Sequence, residues 1–205
     1  MQLVHFTVGA LGVNCYLYFC EVTKEAAVID PGDNGKRILQ KIAELQLDVK
    51  YIINTHGHAD HIGANNAIKQ ACNAKILIHG ADASCLTDPK RNLSAFMGEA
   101  VLSDSADRIL KNGDTIHIGE GSLTVLHTPG HTQGGICLLA DTLLFSGDTL
   151  FAGSVGRCDF PGGSMTDLIK SVKEKLMVLS DDIIVYPGHG EKTSIGTERH
   201  INPYL

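Results

Sequence analysis

The sequence lacks the features with which proteins bind nucleic acids or membranes. Its net charge of -6 and its pI near 5.9 provide no basic surface, and no cluster of lysine and arginine stands out along the chain. No segment approaches the ~18 consecutive apolar residues that a membrane span requires. We therefore expect neither nucleic acid nor membrane as a partner.

The sequence also lacks a C-x-x-C pair, and its first residues do not have the pattern expected of a secretory leader. Its six cysteines are scattered, which favours buried thiols over a disulfide framework in a chain of this length. The apolar N-terminus has no basic segment before it and no small-residue cleavage site. We expect a cytoplasmic protein.

No repeat, low-complexity run or linker divides the chain. A length of 205 residues with 43% hydrophobic residues is ordinary for one domain with a substantial core. We therefore predict a single domain over residues 1–205.

Hydrophobic periodicity and turn residues predict two successive units, each of strands followed by helix. Two such units indicate an α+β protein with two facing sheets between outer helices, a four-layer αββα sandwich. Residues 88–107 are polar and irregular, which predicts a mobile insertion. Strands are predicted at 2–8, 15–21, 26–29, 51–53, 75–78, 115–118, 122–127, 135–140, 142–146 and 183–186, and helices around 38–45, at 62–71 and after the N-cap Ser164.

The most informative segment is Thr55-His56-Gly57-His58-Ala59-Asp60-His61, which follows a predicted strand. Imidazole nitrogens and carboxylate oxygens are ligands that zinc, iron and manganese accept. A packed structural role does not require three imidazoles and a carboxylate so close together. The spacing predicts that His56 and His58 serve one ion and that Asp60 and His61 serve another.

Three further candidate ligands each follow an apolar strand in a glycine-containing turn. They are His131 in TPGHT, Asp148 in SGDTLF and His189 in YPGHG. Glycine allows the backbone to turn tightly and approach an ion. Asp148 has two carboxylate oxygens and is the natural bridge between two ions. The other histidines are interpreted as solvated or structural, and His127, close to the site in sequence, is interpreted as structural or as orienting a ligand.

The motifs THGHADH, TPGHT, SGDTLF and PGHG, in this order and spacing, resemble those of the metallo-β-lactamase superfamily. The match covers residues 14–190. An aspartate at the bridging position is similar to the glyoxalase II branch, as are the segments GRCDFPGGS and GTERHINP. The resemblance implies the metallo-β-lactamase fold, with His56, His58 and His131 on one ion, Asp60, His61 and His189 on the other, and Asp148 between them.

The same resemblance implies a role for Arg157, which matches the position where glyoxalase II enzymes hold a carboxylate of the thiol carrier. The alternative for Arg157 is a structural ion pair with Asp159, two residues further on in the same loop. Asp159 stands where that branch has a tyrosine, and its helical domain with further glutathione contacts has no counterpart here. The carrier thiol is therefore left open.

The function implied is that of a hydrolase with two divalent metal ions, zinc first, with iron or manganese as alternatives. Such ions lower the pKa of a water from ~15.7 toward ~7. The expected substrate is a small-molecule thioester such as a 2-hydroxyacyl thiol, similar to S-lactoylglutathione. The alternatives are a mononuclear-iron persulfide dioxygenase, which uses two histidines and one aspartate, and a lactonase or phosphodiesterase of the same fold.

Overall fold

The computed structural model describes all residues from Met1 to Leu205. Its elements are β1 (Gln2–Val8), β2 (Val13–Phe19), β3 (Glu25–Ile29), α1 (Gly35–Glu44), β4 (Asp48–Ile53), α2 (Ala59–Ile62), α3 (Asn65–Cys72), β5 (Lys75–His79), β6 (Arg108–Leu110), β7 (Thr115–Ile118), β8 (Gly121–His127), β9 (Ile136–Ala140), β10 (Leu143–Gly147), β11 (Leu150–Phe151), β12 (Ser154–Val155), α4 (Met165–Ser171), β13 (Ile184–Pro187), β14 (Thr193–Ser194) and α5 (Ile195–Ile201). A π-helical segment, Val172–Leu176, continues α4.

The strands form two six-stranded mixed sheets and one small hairpin. The first sheet has the order β1-β2-β3-β4-β5-β6, and the second has the order β14-β13-β10-β9-β8-β7. The pairs β3–β4, β4–β5, β5–β6 and β10–β13 are parallel, and the other pairs are antiparallel. β11 and β12 pair only with each other.

Alternation along the strands assigns each side chain to one of three core layers. In β2, Cys15 and Leu17 face α1 and α3, whereas Tyr16 and Tyr18 point into the layer between the sheets. A third layer, which includes Leu168, lies between the second sheet and the C-terminal helices. Because side chains in a strand alternate with a period of two, one apolar strand fills two layers. The predicted αββα sandwich is confirmed.

The helix predicted at 62–71 corresponds to α3, which begins only at Asn65, and the chain before it forms a separate short helix, α2, that ends at Ile62. A Cβ atom at Gly63 would lie 2.3 Å from the carbonyl oxygen of Gly32, so only glycine at position 63 allows these two segments to lie so close together. The amide of Ala64 then donates to the carbonyl of Pro31. The break separates α2 from α3, and α2 carries Asp60 and His61.

The predicted insertion at 88–107 is irregular, but it is tied to the body of the protein. Asn92 is fully buried and donates to the carbonyl oxygens of Cys85 and Val101 at 3.0 and 2.9 Å. Its own Oδ1 accepts from Ser94. The strands β6, β11, β12 and β14 were missed because two or three residues are too few to show a period. The seven-residue helix α5 was also missed. None of the helices has the length and apolarity needed to cross a membrane.

Candidate metal centre

The candidate ligands follow the carboxyl ends of four strands. The segment from His56 to His61 follows β4, His131 follows β8, Asp148 follows β10, and His189 follows β13. β8, β10 and β13 run in the same direction in the second sheet, so their carboxyl ends lie at one edge. The end of β4 in the facing sheet meets this edge, because Ile136 donates its amide to the carbonyl of Thr55.

Three imidazoles form the first group. His56 Nε2 lies 3.1 Å from His58 Nδ1, and His131 Nε2 lies 3.3 Å from the former and 2.9 Å from the latter. Tetrahedral zinc with Zn–N bonds of about 2.0–2.1 Å places its nitrogens roughly 3.3 Å apart. The three nitrogens are therefore spaced as ligands of one ion.

The second group contains Asp60, His61 and His189. Asp60 Oδ2 lies 3.4 Å from His189 Nε2 and 3.9 Å from His61 Nε2. Asp148 lies between the groups, with Oδ2 3.6 Å from both His131 Nε2 and His189 Nε2, and Oδ1 3.5 Å from His61 Nε2. The structure thus brings all seven predicted ligands together.

The buried polar atoms of this cluster without a hydrogen-bond partner include His61 Nε2 and Asp148 Oδ1. Leaving such atoms unpaired costs about 1–3 kcal/mol each. Both atoms face the space between the two groups, where a cation would satisfy them. The donor set of nitrogen and carboxylate oxygen fits zinc, iron or manganese.

Backbone carbonyl and carboxylate oxygens contact the Nδ1 atoms of three imidazoles and fix the orientation of the rings. His131 Nδ1 donates to the carbonyl of Arg157 at 2.6 Å, and His189 Nδ1 lies 3.2 Å from the carbonyl of Leu11. His61 Nδ1 forms an ion pair with Asp30 Oδ2 at 3.0 Å. A proton held on Nδ1 leaves the Nε2 lone pair free to face the cluster, as is usual for metal-binding histidines.

Burial and neighbouring charge set the protonation of the cluster in the metal-free chain. Burial lowers the pKa of His58 to about 3, with His131 adding to the effect, and burial likewise keeps the pKa of His56 well below its usual value. Burial alone would also lower the pKa of His61, but Asp148, Asp30 and Asp60 together raise it to about 10. His56 and His58 are therefore neutral and ready to bind a cation, since imidazole ligates in its neutral form.

Two glycines allow the ligand loops to pack closely. A Cβ at Gly188 would lie 2.1 Å from Asp148 Oδ1, and a Cβ at Gly57 would lie 2.4 Å from Cys85 Cβ. The buried carboxylate of Asp82 joins two of these loops, because its oxygens accept from the amides of Gly57 and Gly134 at 3.0 and 2.7 Å. The loops are therefore fixed by the protein itself.

Sequence reasoning missed three residues that hold the ligands, namely Asp30, Asp82 and Asn14. Asp30 follows β3 in the segment AVIDPG, so its place at the end of a buried strand was a usable signal. Asp82 and Asn14 carried no such signal. Among the other histidines, His127 stacks on His79 at 3.9 Å and its Nε2 lies 2.9 Å from the carbonyl of Gln133, outside the cluster.

Arg157 lies at the rim of the centre, but its guanidinium is engaged. Nε and one terminal nitrogen donate to the two carboxylate oxygens of Asp159 at 2.9 and 2.8 Å, and the guanidinium carbon lies 4.3 Å from the centre of the Phe160 ring. Hydrogen bonding to Asp159 raises the pKa of Arg157. Binding of a substrate carboxylate by Arg157 stays a prediction.

An αββα sandwich with histidines and aspartates at the strand ends defines a metal-dependent class of protein. The family model described as "Metallo-beta-lactamase superfamily" matches residues 8–189, and the chain belongs to this superfamily of metallohydrolases. It is similar to the hydroxyacylglutathione hydrolase GloC of Haemophilus influenzae, with 36% identity over 100% of this chain and 98% of the relative.

Three solved structures are similar to the chain at more than 30% identity. BLEG-1 B3 metallo-beta-lactamase superposes with a TM-score of 0.95 at 34% identity, covering 100% of this chain and 99% of the other. TTHA1623 in a di-iron-bound form superposes with a TM-score of 0.88 at 33% identity, covering 98% of this chain and 100% of the other. ETHE1 from Myxococcus xanthus superposes with a TM-score of 0.85 at 32% identity, covering 99% of this chain and 84% of the other. The likenesses establish the fold and leave the reaction open.

Proposed function

We propose that this protein is a dinuclear metal-dependent thioester hydrolase that converts a 2-hydroxyacyl or related thioester to the acid and the free thiol. The observation that carries the proposal is the position of Asp148, whose oxygens face ligand candidates of both groups. A carboxylate with two oxygens is suited to join two cations. The similarity to a relative named hydroxyacylglutathione hydrolase supports the thioester as substrate.

In this proposal His56, His58 and His131 hold one ion, Asp60, His61 and His189 hold the other, and Asp148 bridges them. Zinc is the first candidate, with iron or manganese as alternatives, and a di-iron form among the similar structures supports iron as one of them. When bound, such ions supply a water of lowered pKa and polarise a carbonyl oxygen.

The chain's own residues orient the reaction. The carbonyls of Arg157 and Leu11 hold protons at Nδ1 of His131 and His189, so neither ring is free to turn. Phe160 and Phe151 pack edge-on against His58 and His189, with ring centres 5.8 and 6.3 Å apart, and place apolar surface against these two imidazoles. A departing thiolate requires little protonation, since thiols have a pKa of about 8.5.

Thiol release from a hydroxyacyl thioester by the metal-loaded protein tests the proposal. We expect turnover that a chelator abolishes and that added metal restores. His131→Ala should lower turnover by more than about a hundredfold, and His117→Ala, at an exposed histidine outside the cluster, serves as the matched control. Hydrolysis of a lactone or phosphodiester without thiol release would contradict the proposal.

The dioxygenase alternative differs in metal content and in its use of oxygen. It would use one iron held by two histidines and one aspartate, and the similarity to ETHE1 is the observation in its favour. Oxygen consumption with a persulfide substrate, measured beside thiol release, distinguishes the two reactions.

A further inference from the structure

A cavity of about 660 Å³ opens over the candidate metal centre. Small-molecule sites commonly have volumes of ~300–1,000 Å³. His58, Asp60, Asp148 and His189 lie in its wall, so a molecule in the cavity contacts the cluster. The remainder of the wall is mainly apolar, formed by Leu11, Leu93, Phe96, Met97, Phe151 and Phe160, which we call the apolar rim.

The apolar rim includes large hydrophobic side chains that the fold leaves in water. Phe96 is 76% exposed, Met97 55% and Leu11 53%. Adjacent exposed apolar side chains beside a cavity are typical of a binding surface. Their position is built into the structure, because the buried Asn92 and Ser94 hold the segment that carries Phe96 and Met97.

Apart from the proposed metal ions, the cavity offers no free cationic side chain to an acidic substrate. Apart from the candidate ligands, the only charged side chain in its wall is Arg157. One edge of its guanidinium donates two hydrogen bonds to Asp159, and one face packs on the Phe160 ring. A paired guanidinium would have to lose Asp159 before it could bind a carboxylate in the same bidentate way.

We propose that the site takes neutral thioesters whose acyl group is an apolar chain or ring that packs against the apolar rim. This inference rests on the proposed thioester hydrolysis and names its substrate class. Asp159 acts as the specificity-determining residue, because it neutralises Arg157 and removes the attraction for acidic carriers such as glutathione.

A series of acyl thioesters of the neutral thiol N-acetylcysteamine tests the apolar rim. Burying one methylene contributes up to about fourfold in affinity, so partial burial of four methylenes should raise kcat/KM by at least about tenfold from acetyl to hexanoyl. Phe96→Ser should reduce this ratio severalfold. Val22→Ser, which alters an equally exposed apolar residue far along the chain from the cavity, should leave the ratio unchanged.

The role of Asp159 is tested with S-lactoylglutathione, which is anionic. Asp159→Asn frees Arg157 and should raise kcat/KM for this substrate by about two- to fivefold, the range that exposed ion pairs contribute. Asp159→Glu retains the carboxylate and is the matched control. Calorimetric binding of a ketone analogue, in which a methylene replaces the sulfur of the hexanoyl substrate, provides a readout independent of turnover, and Phe96→Ser should weaken that binding.

The outcomes separate this inference from the function on which it rests. Thioester turnover with a flat dependence on acyl length, or a preference for S-lactoylglutathione that Asp159→Asn does not change, overturns the inference and leaves thioester hydrolysis intact. Absence of turnover on every thioester, acetyl included, overturns the proposed function and the inference with it. An acyl-length ratio that falls equally in Phe96→Ser and Val22→Ser would also contradict the role of the rim.

Discussion

Asp30→Ala should be among the most damaging single substitutions outside the cluster. The Asp30 carboxylate is buried and accepts from the amide and hydroxyl of Thr55 at 2.7 and 2.6 Å. Its removal leaves two buried donors unpaired, at about 1–3 kcal/mol each, so unfolding free energy should fall by roughly 2–6 kcal/mol. That is a large part of the 5–15 kcal/mol of an ordinary domain.

The same substitution should weaken metal binding, because Asp30 also contacts His61 Nδ1. Loss of a partner behind a metal-binding histidine typically lowers affinity by 10–100-fold. Urea unfolding of the metal-free chain and competition with a chelator measure the two effects separately. Asp30→Asn retains the shape of the side chain, and asparagine tolerates the positive φ of 49° at this position. Asp182→Ala, at an exposed aspartate, is the control. A loss below 1 kcal/mol in Asp30→Ala, with unchanged metal affinity, would refute the reasoning.

Three further predictions concern the metal-free chain and the ligand loops. The neutral forms of His56 and His58 stabilise the fold above pH 6.5, and this stability is lost as pH falls toward the folded-state pKa of about 3 for His58. The free energy of unfolding should fall by up to ~1.4 kcal/mol per pH unit for each histidine. Urea unfolding that is unchanged between pH 7 and 4.5 would contradict this. Asn14 donates to the carbonyls of Pro187 and Gly190 on either side of His189, so Asn14→Ala should lower kcat about tenfold with less change in KM, and an unaltered kcat would show that the loop holds its shape alone. Asp148→Ala should lose most activity and occupancy of both ions while circular dichroism shows the fold retained, and wild-type metal content in this variant would remove the bridge.

The layers of the fold could be predicted because they depend on periodicity within single segments. β2, for example, alternates between two cores, and the Ser164 hydroxyl accepts from the amide of Asp167 as the N-cap pattern indicates. The break at Gly63 could not be predicted from period, since it depends on Gly32, which is distant in sequence. The two-residue strands β11 and β12 are likewise defined only by their pairing.

The candidate site could be predicted as a set of residues, but its support could not. The candidate ligands can be identified in the sequence by their residue type and by their position after strands. Asp82 and Asn14, in contrast, act through hydrogen bonds to loops far along the chain. Arg157 shows the same limit. Its type and place left open an anion clamp or an ion pair with Asp159, and the structure shows the ion pair.

The dinuclear centre is tested by elemental analysis of the metal content of the purified protein. Thioester turnover is measured beside it as metal is added back to the stripped chain. Seven candidate ligands exceed the three or four that one catalytic zinc takes from a protein. The account predicts about two ions per chain, with turnover that reaches its maximum only when the second ion is bound. A content that stays near one after reconstitution with excess zinc, manganese or iron, with full activity, would contradict the dinuclear centre.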